Sequence, residues 1–233
     1  LCYDAGLAIT VRGSGSNLSG GTVPDTSDSA VILTNSLQAI LLAIFTSITA
    51  SVGNMIAEGD RNLIFKVFRE LFAVRFLMVG LGCFGLYFLT EPFISYWIGE
   101  GYVLNHTTLV LVVIVFFMNN LRSVVDTYIN AYGLFRDIWA PVAEAAIFAV
   151  AAVVLGRLYG LNGVLAAAIL ELALIIYIWR PYFLFHSGMG RNAATYFGLF
   201  LKLMLCLAAA FVLSAFVIRN IGIDPTTGLL QFV

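Results

Sequence analysis

Long apolar stretches, separated by short polar segments, occupy nearly all of the chain after residue 30. Six of these stretches are long enough to cross a bilayer, whose hydrocarbon core of about 30 Å needs a helix of roughly 20 residues. No strand pattern competes with them, and such runs in lipid have to be helical because their backbone polar groups need partners within the same segment. The pattern predicts an all-α, polytopic membrane helix bundle with six transmembrane helices, at about 31–56, 71–89, 107–131, 138–155, 161–178 and 196–218.

The polar segments around these spans predict loops and surface elements. Residues 1–30 are rich in Gly and Ser and predict a flexible leader that is irregular or foreign to the bundle. A loop at 57–62 precedes residues 63–71, whose charges Lys66, Arg69 and Glu70 predict an amphipathic surface helix. Pro92 and the aromatic run 96–102 predict an interfacial loop. Residues 219–233 are interpreted as a loop and the start of a truncated segment, and the first residue, Leu1, also indicates a fragment.

The composition agrees with lipid as the main solvent. Hydrophobic residues make up 61% of the chain and charged residues 11%, which leaves too little polar surface for a soluble domain. The net charge of −1 provides no basic surface for nucleic acid. The three cysteines are far apart, the two histidines fall on opposite sides of the predicted membrane, and no phosphate-loop or hydrolase motif occurs. We therefore expect no enzyme activity, no metal site and no cofactor.

Lysine and arginine are distributed unequally between the two predicted sides of the membrane. Cytoplasmic loops carry the excess of these residues, so the richer side is predicted to be cytoplasmic. That side has Arg61, Lys66, Arg69, Arg136, Arg180 and Arg191. The other side has Arg157 and Arg219, joined by Arg12 if the leader lies there. The first span then begins outside, which again indicates that earlier helices are missing.

Ionisable residues inside the spans are costly in lipid, so each is a candidate for function. Arg122 and Asp126 are four residues apart and share a helix face, where they can form an ion pair, and Asn119 and Asn120 extend this polar stripe. The stripe either neutralises itself or faces a hydrophilic pathway, and one reading does not exclude the other.

Four further charged residues lie within or near the spans. Glu144 lies two turns into its helix. Glu171 lies near mid-membrane without a partner on its own helix, so it has to be protonated, paired with another helix or exposed to water. Arg75 and Lys202 lie about one turn inside the cytoplasmic boundary, where their side chains could snorkel to the interface.

Several short sequence motifs, which we call words, are informative about the protein family because of the order in which they occur. The words are SITASVGN at 47–54 followed by Glu58-Gly59-Asp60, Pro92-Phe93-Ile94 with Trp97-Ile98-Gly99, AYGLFRDIWAP at 131–141, YGLNGV at 159–164 and IWRPY at 178–182. Together they resemble bacterial polysaccharide-biosynthesis (O-antigen-type) flippases of the multidrug/oligosaccharidyl-lipid/polysaccharide exporter superfamily. The resemblance covers about residues 31–218 and does not extend to residues 1–30.

This resemblance implies one lobe of a two-lobed exporter, with about six helices in each lobe and a central cationic cavity. Such flippases move undecaprenyl-diphosphate-linked oligosaccharide across the bacterial inner membrane for cell-surface polysaccharide biosynthesis. The implied partners are the lipid-linked glycan, membrane lipids and the missing N-terminal lobe. From depth and charge, Arg122 is the first candidate for contacting the diphosphate, with Arg75 and Lys202 next. The candidates for ion coupling or a polar pathway are Asp126, Glu144, Glu171 and Asn119.

Two other functions remain open. A cation-coupled drug antiporter of the same superfamily would use Asp126, Glu144 or Glu171 to carry protons or sodium. An integral-membrane polyprenyl-phosphate sugar transferase would need an acidic or histidine site near one membrane face, and such residues are scarce. As half of a transporter, residues 31–233 alone are expected to insert into the membrane but not to transport.

Overall fold

The structure is a computed structural model that describes residues 26–97, 105–137 and 139–221, and within these ranges the chain forms helices and no strand. Six helices follow one another along this part of the chain: α1 (Thr26–Glu58), α2 (Arg61–Trp97), α3 (His106–Ala131), α4 (Trp139–Tyr159), α5 (Leu161–Met189) and α6 (Ala194–Ile221). A short 3-10 turn, Phe135–Asp137, precedes α4. The prediction of an all-α bundle is confirmed.

Five of the described helices, α2 to α6, are long and apolar enough to cross a membrane. The remaining helix, α1, has 33 residues, and its apolar part is the shorter segment Thr34–Phe45. The predicted spans fall on these six helices in order. The chain is thus a multi-pass membrane helix bundle with about six spans.

The second helix is longer than the sequence pattern predicts. Its 37 residues correspond to about 55 Å at 1.5 Å per residue, whereas a whole bilayer measures roughly 40–45 Å. The predicted surface helix at 63–71 is the first part of α2, and Pro92 lies inside α2. The separate surface helix and the loop at Pro92 are therefore wrong predictions.

The turn between α1 and α2 is shorter than the predicted loop at 57–62, because two residues suffice to end one helix and begin the next. Gly59 ends α1 with a φ of 80°, a left-handed conformation that glycine adopts without strain. The Asp60 carboxylate accepts hydrogen bonds from the backbone N–H groups of Asn62 and Leu63, at 2.9 and 3.2 Å. Asp60 thus caps the start of α2.

The helices alternate in direction, so their turns form two groups. At one end, Arg191 Nη2 donates to Asn62 Oδ1 at 2.8 Å, which joins the α5–α6 turn to the start of α2. At the other end, Thr108 Oγ1 on α3 donates to Asn162 Oδ1 on α5 at 2.8 Å. We call the first group the basic end, because the turns that carry Arg61, Arg136 and Arg191 lie there. The turns lie at one end of the bundle, as the alternation of the spans predicts, and their cytoplasmic position stays a prediction.

Single-cysteine labelling tests which side of the membrane the basic end faces. In a background without the native cysteines, cysteine at Asn62, Asp137 or Ser187 should react with an impermeant thiol reagent from the cytoplasmic side only. Cysteine at Asn105 should react from the outer side only, because positively charged turns are retained in the cytoplasm. Reaction of position 62 or 187 from the outer side would reverse this orientation.

The core lies mainly in the half of the bundle near the basic end and is aromatic. Phe68 and Phe72 of α2, Tyr128 of α3, Phe185 of α5 and Tyr196 of α6 are buried there. Phe68 meets Tyr128 edge-on at 5.1 Å and Phe185 at 5.4 Å between ring centroids, geometries that aromatic pairs favour. Helices α4 and α6 contribute little buried surface, so the core is carried by α2, α3 and α5.

Small residues set the close helix contacts. A Cβ atom on Gly163 would lie 1.9 Å from the carbonyl oxygen of Leu155, so only glycine permits the approach of α4 and α5. Among the glycines of α2, Gly80 lies against Leu207 and Gly82 against Leu37, whereas Gly85 has open space. Gly80 and Gly82 thus allow a neighbouring helix to approach α2 closely.

The fifth helix also differs from its predicted bounds of 161–178, because it continues through Pro181 to Met189. Two parts of it, Leu172–Trp179 and Leu184–Met189, are π-helical. Residues 26–30 and 219–221, predicted as leader and loop, are helical in α1 and α6. The rest of those two predictions, and the aromatic loop at 98–102, fall outside the described residues.

Candidate functional site

One face of α3 carries a run of polar side chains, which we call the polar stripe. It consists of Asn119, Arg122, Ser123, Asp126 and Thr127, whose spacing of three and four residues places them on one helix face. All five are partly exposed, while the other side of α3 is buried in the core. Asn120, predicted to extend the stripe, is buried on that other side, where its Nδ2 donates to the Phe116 carbonyl at 2.9 Å. Ser123 and Thr127 donate to carbonyls of their own helix at 2.9 and 2.8 Å, which satisfies their hydroxyl protons within α3.

Arg122 lies at the centre of a charge cluster that links α3, α4 and α5. Its Nε lies 3.2 Å from Asp126 Oδ2 and its Nη1 lies 2.9 Å from Glu144 Oε1. Arg180 on α5 contacts the same two carboxylates, since it donates to Asp126 and its Nη2 lies 3.8 Å from Glu144 Oε2. The four side chains are between 14% and 26% exposed. The predicted Arg122–Asp126 pair is confirmed, and it belongs to a larger network.

Glu171 completes the charge cluster from α5. It is 7% exposed, lies within hydrogen-bonding reach of the Glu144 carboxyl group and is close to Arg122. Glu171 thus meets a side chain of another helix, but this neighbour is a second carboxyl group and not a cation. With every group ionised, the cluster has two positive and three negative charges. One proton or one monovalent cation would balance it.

Arg180 is the residue of this cluster that the sequence interpretation missed, because it was assigned to a cytoplasmic loop. In an α-helix, nine residues at about 100° each put Glu171 and Arg180 on opposite faces. The intervening segment Leu172–Trp179 is π-helical, and its wider winding turns less per residue. Both side chains therefore reach the same cluster. The predicted spans contain three acidic and three basic residues, so the charge count gave no signal of a missing basic partner.

The basic residues proposed for one diphosphate do not converge in the structure. Arg75 is 3% exposed and lies between α1, α2 and α3, where its Nε donates to the Asn120 carbonyl at 3.2 Å and its Nη1 to the Leu41 carbonyl at 3.1 Å. Snorkelling of Arg75 to the interface is therefore a wrong prediction. Because α2 begins at Arg61, Arg75 lies about 21 Å from the start of this helix. This distance is much greater than the predicted depth of about one turn. Lys202 is exposed on α6, where a long side chain can reach the interface.

A small cleft between α1, α2 and α3 adjoins the polar stripe, and we call it the polar cleft. It has a volume of about 80 Å³. Ser123 and Thr127 belong to both the cleft and the stripe. The remaining lining residues are Phe45, Ile48, Thr49, Val52, Leu71, Arg75, Val124 and Tyr128. Polar side chains thus occur on both sides of α3, from Thr49 on α1 to Glu144 on α4, although most of the cleft lining is apolar.

Comparisons with known proteins do not supply a function for these sites. No family model, no curated protein and no solved structure matches the chain. The resemblance to polysaccharide flippases therefore rests on its sequence words alone, and function has to be inferred from the polar stripe, the charge cluster and the polar cleft.

Proposed function

We propose that this chain acts in a membrane transporter that moves a lipid-linked oligosaccharide, carried on a polyprenyl diphosphate, from one leaflet to the other. The observation that carries the proposal is the polar stripe of α3 with its charge cluster, partly exposed on an otherwise apolar bundle. The flippase-like sequence motifs suggest the substrate class, and the partly exposed charge cluster supports the proposal of a hydrophilic path.

The exposure of the charge cluster argues for a hydrophilic pathway. Ionised side chains facing hydrocarbon are costly, and within a membrane such groups are placed against protein or a water-filled cavity. Arg122 and Asp126 lie on the outward face of α3, 26% and 23% exposed, although they are already paired. We infer that this face meets water or a second part of the transporter, not lipid.

A diphosphate-sugar head group needs such a path, because moving it through hydrocarbon without polar partners costs far more than thermal energy. Arg122 remains the first candidate for the diphosphate, since it is the arginine on the polar stripe. Its guanidinium holds Asp126 and Glu144 in the structure, so an entering diphosphate would compete with these carboxylates. Arg180 touches the same two carboxylates and could retain them while Arg122 turns to the substrate.

A cation-coupled antiporter is the second candidate, and a separate observation favours it. The charge cluster holds one carboxylate more than its arginines neutralise, and Glu144 and Glu171 lie side by side. A pair of adjacent carboxyl groups binds a proton or a small cation because two like charges at short range repel each other. In this alternative, Asp126, Glu144 and Glu171 would carry the coupling ion, and the organic substrate would be a cationic drug.

Cysteine accessibility along α3 tests the proposed pathway. Cysteine at Asn119, Ser123 or Thr127, in a background without native cysteines, should react with an impermeant thiol reagent in intact membranes. Cysteine at Ile114 is the matched control, because Ile114 is exposed on α3 but lies about 140° around the helix from Asn119, so it should stay unreactive. Equal reactivity at position 114 and in the stripe, or none in the stripe, would contradict the pathway.

Protection from this reaction separates the two functions. A short-chain polyprenyl-diphosphate sugar should slow modification at positions 119 and 123 several-fold if the flippase proposal is correct. If an organic cation protects these positions and the lipid-linked sugar does not, the antiporter proposal is favoured over the flippase proposal.

A further inference from the structure

Arg75 is a buried charge without an acidic partner among the described residues. Its Nε and Nη1 use two backbone carbonyls, and its guanidinium lies 4.3 Å from the centroid of the Phe45 ring. Its Nη2 makes no hydrogen bond to any described residue. Backbone dipoles and a ring face compensate part of the cost of burying a cation, and a negative charge would compensate the remainder.

The polar cleft places Arg75 at its inner end. On α1 the lining residues run from Phe45 towards the basic end at Val52, on α2 from Arg75 to Leu71, and on α3 from Ser123 to Tyr128. Helices α1 and α3 run towards the basic end, and α2 starts there. The lining residues furthest from that end are therefore Phe45 on α1, Arg75 on α2 and Ser123 on α3. A ligand that entered from the basic end would therefore meet the guanidinium last.

Tyr128 supplies a second, independent indication of a ligand. It is fully buried and lines the polar cleft, and its hydroxyl group has no hydrogen-bond partner among the described residues. Buried polar groups in folded proteins are nearly always paired, and an unpaired one calls for a water, an ion or a ligand. Tyr128 lines the same cleft on the basic-end side of Arg75, so a ligand that reached Arg75 from that end would pass Tyr128 first.

We infer that the polar cleft binds one phosphate group between Arg75 and Tyr128. A guanidinium presents a fork of donors that fits phosphate oxygens, and a phenol adds one further donor. The cleft volume of about 80 Å³ exceeds the space that a single water needs, roughly 10–15 Å³ by the same measure, and accommodates a group of this size. The group could come from inorganic phosphate or from a lipid phosphate. The inference does not depend on the proposed transport, because binding is measurable without transport activity.

Binding to the purified full chain in a phosphate-free sugar detergent tests the inference. Inorganic phosphate should raise the thermal unfolding temperature in a saturable manner, whereas chloride at equal ionic strength should not. Short-chain polyprenyl phosphate, tested in parallel, identifies the source: a tighter interaction than that of inorganic phosphate assigns the cleft to a lipid head group. No saturable shift with either phosphate, or an equal shift with chloride, would overturn the inference.

Tyr128→Phe is the decisive variant, because it removes only the unpartnered hydroxyl. We expect it to weaken phosphate binding about tenfold, the scale of one hydrogen bond to a charged group, and to leave the unfolding temperature without phosphate unchanged or higher. Tyr132→Phe, a half-buried tyrosine outside the cleft, is the matched control and should bind normally. Unaltered binding by Tyr128→Phe would overturn the assignment of this hydroxyl and with it the site.

Arg75→Gln should abolish binding, and Lys202→Gln, which removes an exposed cation from α6, should not. Arg75 also joins three helices, so the folding of the Arg75→Gln variant has to be checked by its helical content and gel-filtration profile. If this variant does not fold, Tyr128→Phe still decides the question. Normal phosphate binding by folded Arg75→Gln would overturn the inference.

Discussion

Replacing Arg122 with alanine is expected to destabilise the bundle by about 3 kcal/mol, because it leaves Arg180 as the one arginine of the charge cluster against Asp126, Glu144 and Glu171. Breaking a fully buried ion pair costs about 3–5 kcal/mol, whereas an exposed pair contributes at most about 1 kcal/mol. The cluster is 26% exposed or less, so the effect should lie nearer the buried limit. Arg122→Lys should fall between wild type and alanine, since an ammonium group keeps the charge but lacks the forked donors.

The double variant Arg122→Ala with Asp126→Ala should recover most of the lost stability. It removes one charge of each sign, so the excess of one negative charge in the cluster is the same as in the wild type. Such recovery is the signature of a direct interaction in a double-mutant cycle. Denaturant unfolding in detergent measures it. Arg157→Ala, at an exposed position near the opposite end of α4, is the control and should change stability by less than about 0.5 kcal/mol.

Transport by the same variants decides whether Arg122 has a role beyond neutralising Asp126. If the guanidinium meets a diphosphate, Arg122→Ala should abolish glycan export beyond what its lowered protein level accounts for, and the double variant should remain inactive although its stability is restored. Export restored by the double variant would make Arg122 a structural residue and remove it from the substrate site.

Gly163→Ala is expected to separate α4 from α5, with a loss of stability of about 3 kcal/mol or more. The new methyl group would lie 1.9 Å from the Leu155 carbonyl oxygen and 2.3 Å from its carbon, and these are backbone atoms that cannot rotate away. Overpacking against side chains already costs about 1–3 kcal/mol. The displacement would also move Glu144 on α4 relative to Glu171 and Arg180 on α5, so the charge cluster would be disrupted together with the packing.

Gly53→Ala is the matched control for this prediction. Gly53 lies inside α1 and a methyl group there meets no atom within 4 Å, so the higher helix propensity of alanine should leave stability equal or raised by up to about 1 kcal/mol. Thermal unfolding of the two variants side by side checks the contrast. Equal stability of Gly163→Ala and Gly53→Ala would show that α4 and α5 do not approach as closely as the structure has them.

The parts of this protein that depend on local pattern could be predicted from its sequence. A run of apolar residues in lipid has to become a helix, so the spans follow from hydrophobicity and length alone. The pairing of Arg122 with Asp126 is likewise local, because a separation of four residues brings two side chains together in any α-helix. The shared position of the helix ends near Asn62, Asp137 and Ser187 follows from the alternation of the spans.

The polar stripe was predictable in part, and the site around it was not. Arg75 was placed by its distance from a predicted boundary, but α2 begins ten residues earlier than predicted and its packing turns Arg75 inward. Sequence spacing measures depth along a helix whose start is known, but it does not say which neighbour the side chain meets.

The sequence by itself determined the number and order of the helices, their lipid-facing character and the presence of costly charges within them, because each depends on nearby residues and on the solvent. Only the tertiary structure decided that Glu144, Glu171 and Arg180 join Arg122 and Asp126. That arrangement requires Gly163 to bring α4 against α5 and the π-helical segment of α5 to rotate Arg180 onto the face of Glu171. Both are properties of packed helices, whose energies come from contacts between residues far apart in the chain.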